Sequence, residues 1–140
     1  MQPTQLIQEI KAVCGPEFLK KPYKKLRPRD AHPTWGCCYV ACEVLYHQWA
    51  KKRGFKPHWV SVKGCTCSAN CTGGSHWYLR NPETSEVLDP TVEQFGGIIP
   101  DYEEGVCCGF LTKAPSNRCK RMLSRIEQQR KEHEPDANAS

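Results

Sequence analysis

The stretch S-H-W-Y-L-R-N-P-E-T-S-E-V-L-D-P-T, residues 75–91, decides the fold. Its first five residues alternate in the period-two manner of a strand, N-P-E-T-S turns the chain, and E-V-L-D returns as a second strand. Strands joined by so short a turn run antiparallel. A hairpin centred on Pro82–Glu83 sets His76 directly opposite Asp89 on one face, with Cβ atoms roughly 5 Å apart. A slip of one residue would send the two side chains to opposite faces. An imidazole whose Nδ1–H is held by a carboxylate is the expected product of this pairing.

Working outward, H-W-V-S-V (58–62) reads as a strand, divided from residue 75 by the loop G-C-T-C-S-A-N-C-T-G-G (64–74). Gly109 to Thr112 reads as another short strand. Upstream the period is helical. Leu6, Ile7, Ile10, Val13 and Cys14 share a face, with Thr4 as N-cap and Gly15 as the stop. Residues 16–33 carry proline too often for a long helix and are expected to wind between elements. From Cys38 the helical period returns through Ala41, Cys42, Leu45 and Trp49, and Gly54 ends it after the cationic Lys51, Lys52 and Arg53. Thr91 and Gln94 have capping-box spacing for one helical turn. Ser116 opens a last helix with Cys119, Met122, Leu123 and Ile126 on one face. The expected architecture is α+β: a central cysteine-bearing helix packed on a small antiparallel sheet, flanked by N- and C-terminal helices. A single domain spans 1–132, followed by a polar, disordered tail over 133–140.

The 140 residues suffice for one real core, and the mean hydropathy of -0.65 is that of a soluble protein. No run of about 18 apolar residues exists, so no membrane partner is expected. The N-terminus M-Q-P-T-Q-L-I-Q-E-I-K lacks the marks of a secretory signal, which favours the cytoplasm, where thiols stay reduced. The ten cysteines are then nucleophile, metal ligands or buried fillers rather than a disulfide framework. The net charge of +5 gathers in Lys20, Lys21, Lys24, Lys25, Arg27 and Arg29, and again in Arg118, Lys120, Arg121 and Arg125. Without aromatic interleaving these read as solvated faces first, and as a nucleic-acid surface second.

One cysteine stands apart. In W-G-C-C-Y-V-A-C (35–42), Cys38 opens the central helix behind Gly36, where free N–H groups and the helix dipole stabilise a thiolate. It lies on the face expected to meet the strand pair that carries His76 and Asp89. A nucleophile, a base and an orienting carboxylate are the parts of covalent acyl chemistry. Residues 36–41 (G-C-C-Y-V-A), 75–77 (S-H-W) and 88–91 (L-D-P-T) resemble, in order and topology, the three signature boxes of transglutaminase-like proteins within the papain-like group. The wider chain, including G-F-L-T-K-A-P-S-N-R (109–118), is similar to small proteins of bacteriophages and their hosts. The resemblance implies Cys38 as nucleophile, His76 as base and Asp89 as orienter. It implies hydrolysis, deamidation or acyl transfer through a thioester, on a protein, peptide or small amide substrate, with no cofactor in the chemistry. The oxyanion would be held by the Cys38 N–H and a donor from the preceding loop, with Trp35 as candidate; Trp35 reads equally as a packing residue over the helix start.

A second signal is Cys65, Cys67 and Cys71 in C-T-C-S-A-N-C, which can wrap three thiolates round a structural zinc ion, with Cys107 or Cys108 as fourth ligand. This supports an alternative of another class: a non-catalytic, zinc-stabilised accessory module that binds a protein or nucleic acid.

Overall fold

The computed structural model describes residues 3–27, 29–61 and 75–133. Among the described residues, four α-helices and a four-stranded antiparallel sheet make up the fold, as expected of the α+β class. Helix α1 (Pro3–Val13) buries Leu6, Ile10 and Val13, the apolar stripe read from its spacing. Helix α2 (Lys21–Leu26) stands where only a winding connection was expected. It is six residues long with proline in its first turn, where the N–H groups have no intrahelical partner.

Helix α3 (Cys38–Leu45) is central. Val40, Ala41, Cys42, Glu43, Val44 and Leu45 are all buried, so it is enclosed nearly all round rather than along one stripe. It packs against α1, against the strand carrying His76, and against α4 (Asn117–His133). The helical path continues beyond Leu45 as a wider π turn, Tyr46–Ala50, and a 3-10 turn, Lys51–Arg53. Gly54, at φ 85°, ends it in the left-handed conformation that glycine adopts without a Cβ penalty. Of the tail expected over 133–140, His133 is the last residue of α4, and residues 134–140 lie outside the described residues.

Glu43 is a carboxylate at 0% exposure, and the start of α4 explains it. The Ser116 N–H and hydroxyl donate to its two oxygens at 3.0 and 2.7 Å, while Ser116 Oγ accepts from the Cys119 N–H at 3.2 Å. This is the logic of a capping box, with the acid supplied by a neighbouring helix instead of the third helical residue.

The strands are β1 (Lys56–Ser61), β2 (Ser75–Arg80), β3 (Val87–Leu88) and β4 (Val106–Cys107), in the order β3-β2-β1-β4. The fourth strand lies upstream of the expected 109–112. Phe110 leaves the sheet to stack on Trp77, ring centroids 5.9 Å apart, and the Leu111 N–H donates to the Tyr39 hydroxyl at 2.7 Å. The β2–β3 register also differs from expectation. Leu79 pairs with Leu88 and Arg80 with Val87, two residues from the pairing that put His76 opposite Asp89. The turn is longer than foreseen: the Asn81 N–H reaches the Glu86 carbonyl at 2.9 Å, with Ser85 in a left-handed conformation at φ 64°. A shift of two preserves the face, so Asp89 becomes a diagonal neighbour of His76 instead of a direct one.

A main core gathers around α1, α3, α4, Leu79 and Leu88, and a smaller one around Val60, Tyr78 and Phe95. The segment from Val92 to Glu104 closes the second core, with Tyr102 packed at its edge. Among the described residues no helix is long and apolar enough to cross a membrane.

Candidate functional site

His76 occupies the second position of β2, on the face shared with Tyr78, and is 1% exposed. Phe95 meets its ring edge-on at 4.6 Å. The ring bonds Asp89 through Nε2, 2.7 Å from Oδ2, so the nitrogen facing the carboxylate is the opposite of the one expected. Asp89 follows β3 directly, and its Oδ1 accepts from the Thr91 N–H at 3.3 Å, the Asx turn that a D-P-T sequence favours. Nδ1 is buried and has no hydrogen-bond partner among the described residues. Burial alone would push the His76 pKa down. The Asp89 hydrogen bond and the nearby Cys38 sulfur outweigh it and raise it to about 9. No hydrogen bond joins the Cys38 sulfur to Nδ1 among the described residues. Such looseness is usual before a substrate tightens a site.

Cys38 is the first residue of α3 and partly exposed. It lies in the wall of a cleft of about 320 Å³, together with Lys20, Tyr39, Ser75, Trp77 and Arg118. Among the other described cysteines, a hydrogen bond with Cys14 lowers the Cys37 pKa. Burial pushes the Cys42 thiol well up, raises Cys119 to about 12 and Cys108 to about 11. Cys42 and Cys119 are buried thiols filling space.

Two supports were not foreseen. The Tyr102 hydroxyl donates to Asp89 Oδ2 at 2.7 Å, on the same oxygen that holds His76. Burial and the adjacent carboxylate push its pKa up, so it remains a donor. Tyr78, at 0% exposure, donates in turn to the Tyr102 carbonyl at 3.0 Å. The second support is Gln94, whose Oε1 accepts from the Gly36 N–H at 3.1 Å while its Nε2 donates to Thr91 Oγ1 at 3.0 Å. The expected Thr91–Gln94 pairing thus exists between side chains, and Gln94 ties the loop before Cys38 to the loop after Asp89. Gly36 has φ +75°, a left-handed conformation that favours glycine, and a Cβ there would also stand 2.8 Å from Leu19 Cδ2.

Trp35 takes the packing role of its two. It is 8% exposed within the main core, and its N–H donates to the His32 carbonyl at 2.9 Å. The Cys37 N–H donates to Thr34 at 3.0 Å, so the loop's amides are engaged up to the helix start. The Cys38 N–H, in the first turn, has no intrahelical partner. Cys65, Cys67 and Cys71 lie outside the described residues. Of their expected companions, Cys107 is exposed on β4, and the Cys108 thiol donates to the Pro57 carbonyl at 3.7 Å.

Comparison with protein-family models, curated proteins and solved structures finds no match to this chain.

Proposed function

We propose that this protein is a cysteine-nucleophile enzyme of the transglutaminase-like type, cleaving an amide or ester bond through a thioester on Cys38. The observation that carries the reading is the buried His76–Asp89 pair at 2.7 Å, whose Nδ1 has no hydrogen-bond partner among the described residues, with Cys38 nearby in the wall of an open cleft. Structural histidines are usually satisfied at both nitrogens when buried. Here Nδ1 is left over among the described residues, as is Nε2 of His47, but only His76 is also held by a carboxylate.

The Cys38 sulfur attacks the carbonyl carbon as a thiolate, with the positive ring as counter-ion, and the C–S bond forms as the carbonyl pair moves to oxygen. The Cys38 N–H faces that charge from the helix start, and Ser75 on the cleft wall offers a hydroxyl as second donor. A ring with a pKa near 9 is protonated at neutral pH, so it carries the proton that the departing amine or alkoxide needs. Water or an amine then attacks the thioester, His76 accepts its proton, and the thiolate returns. Asp89 holds the ring's orientation and its positive charge, and Tyr102 holds Asp89. The reading suits a reducing cytoplasm, where a free thiol persists.

p-Nitrophenyl acetate tests it. A burst of one nitrophenolate per chain, with a single acetyl group mapped to Cys38 and no burst in His76→Gln, is the expected result. Acetyl groups spread over several cysteines, or an unchanged burst in His76→Gln, would overturn it.

A further inference from the structure

We infer that the cleft over Cys38 selects acyl donors carrying a negative charge beside the scissile carbonyl. This rests on the reading of Cys38 as the acyl acceptor. Two cations line the cleft, Lys20 and Arg118, and no Asp or Glu accompanies them among the described lining residues. Elsewhere in the fold Lys11 pairs with Glu93 at 2.6 Å, Arg80 with Glu103 at 2.8 Å, and Arg130 with Glu9. Lys20 and Arg118 have no acidic partner among the described residues.

Arg118 is also held in place. One of its terminal nitrogens, Nη1, donates to the Phe18 carbonyl at 3.0 Å, and its guanidinium carbon lies 5.9 Å from the centre of the Tyr39 ring. The carbonyl restrains one arm of the fork. Its Nε and Nη2 have no hydrogen bond among the described residues, which leaves N–H groups of the kind that bind a carboxylate. The opposite character comes from the walls. Tyr39 and Trp77 meet edge-to-face at 4.8 Å, and apolar surfaces of this kind strengthen any charge pairing beside them.

Size points to the same class. A cleft of about 320 Å³ is at the small end of ligand sites, enough for a small molecule or one side chain. A neutral acyl donor would leave both cations without a counter-charge. An anionic one would supply it, and would also bring its carbonyl into a site where transfer builds a second negative charge on oxygen. The step balances as before: the sulfur–carbon bond forms, the bond to the leaving group breaks, and His76 supplies the leaving group's proton.

The test compares two p-nitrophenyl esters of matched length, the neutral valerate and the anionic mono-ester of glutaric acid, by their rates of Cys38 acylation. At low salt the anionic ester is expected to acylate about tenfold faster, in line with a charge-assisted hydrogen bond partly screened by solvent. That ratio should fall toward one in Arg118→Gln and in raised salt. Because Arg118 also braces Phe18, the exposed Lys20→Gln serves as the second variant and should reduce the ratio as well. Equal rates for the two esters at Cys38 would overturn the inference and leave the enzymatic reading standing. Failure of both esters to acylate Cys38 would overturn the two together.

Discussion

Replacing Asp89 by Asn keeps the shape beside His76 and removes the charge, which makes it the sharpest probe of how the ring is tuned. In the native protein two opposed effects meet at His76. Burial at 1% exposure disfavours the imidazolium, and the Asp89 carboxylate at 2.7 Å, aided by Cys38, favours it strongly enough to place the pKa near 9. Without the carboxylate, burial dominates and the ring should titrate below the ordinary 6.5. A change of at least two and a half units corresponds to about 3 kcal/mol. The sign for stability follows. A folded pKa raised above the unfolded value gives a stabilisation that is complete below pH 6.5 and lost as pH rises through 9. Native stability should therefore decline by about 3 kcal/mol between those limits in denaturant titrations under reducing conditions, and the Asp89→Asn variant should lack this decline. The direct assay is an NMR titration of the five histidine rings, with His76 assigned by its loss in His76→Gln. A native ring titrating near 6.5, or a variant ring still titrating above 8, would refute the reasoning.

The remaining predictions concern what holds these groups in place. Gly105→Ala should destabilise the fold by about 3 kcal/mol, because a Cβ there would sit 1.5 Å from the Tyr78 hydroxyl oxygen. Adding Tyr78→Phe should restore part of that loss in thermal melts; no recovery would place the strain elsewhere. Glu43→Ala should lower stability by about 3 kcal/mol by leaving the Ser116 hydroxyl and N–H unpaired at the start of α4, with reduced protection of the α4 amides in hydrogen exchange. Gly36→Ala should cost about 2 kcal/mol and slow Cys38 chemistry more than its stability loss explains, since it strains the loop feeding α3. Native kinetics in that variant would show that the loop does not position the sulfur.

Much of the site was legible because its parts sit in strongly periodic segments. The start of α3 at Cys38, the strand bearing His76 and the return to Asp89 all follow from a change of period between 3.6 and two. The register was not legible. Ser85 takes a left-handed conformation that no Gly or Asn announces, and the longer turn moves the pairing by two residues. The face survived because the side-chain period of a strand is two. Which ring nitrogen meets Asp89 depends on the approach of a diagonal neighbour, and no spacing encodes it. Tyr102 was invisible for a different reason: it lies in an aperiodic segment, and only tertiary packing returns its hydroxyl to Asp89. Glu43 reads as an ordinary polar residue in a helix, because the partner that justifies its burial is 73 residues away. Lys20 and Arg118 looked like members of two solvated basic clusters, and the fold brings these two to one cleft.

The claim that Cys38 is a nucleophile set by His76 is tested most directly by brief alkylation with iodoacetamide at pH 6, with every cysteine quantified by peptide mapping. The account predicts labelling at Cys38 at least about tenfold faster than at any other cysteine, and loss of that advantage in His76→Gln. Even labelling across the exposed cysteines, or a Cys38 advantage that survives in His76→Gln, would contradict it.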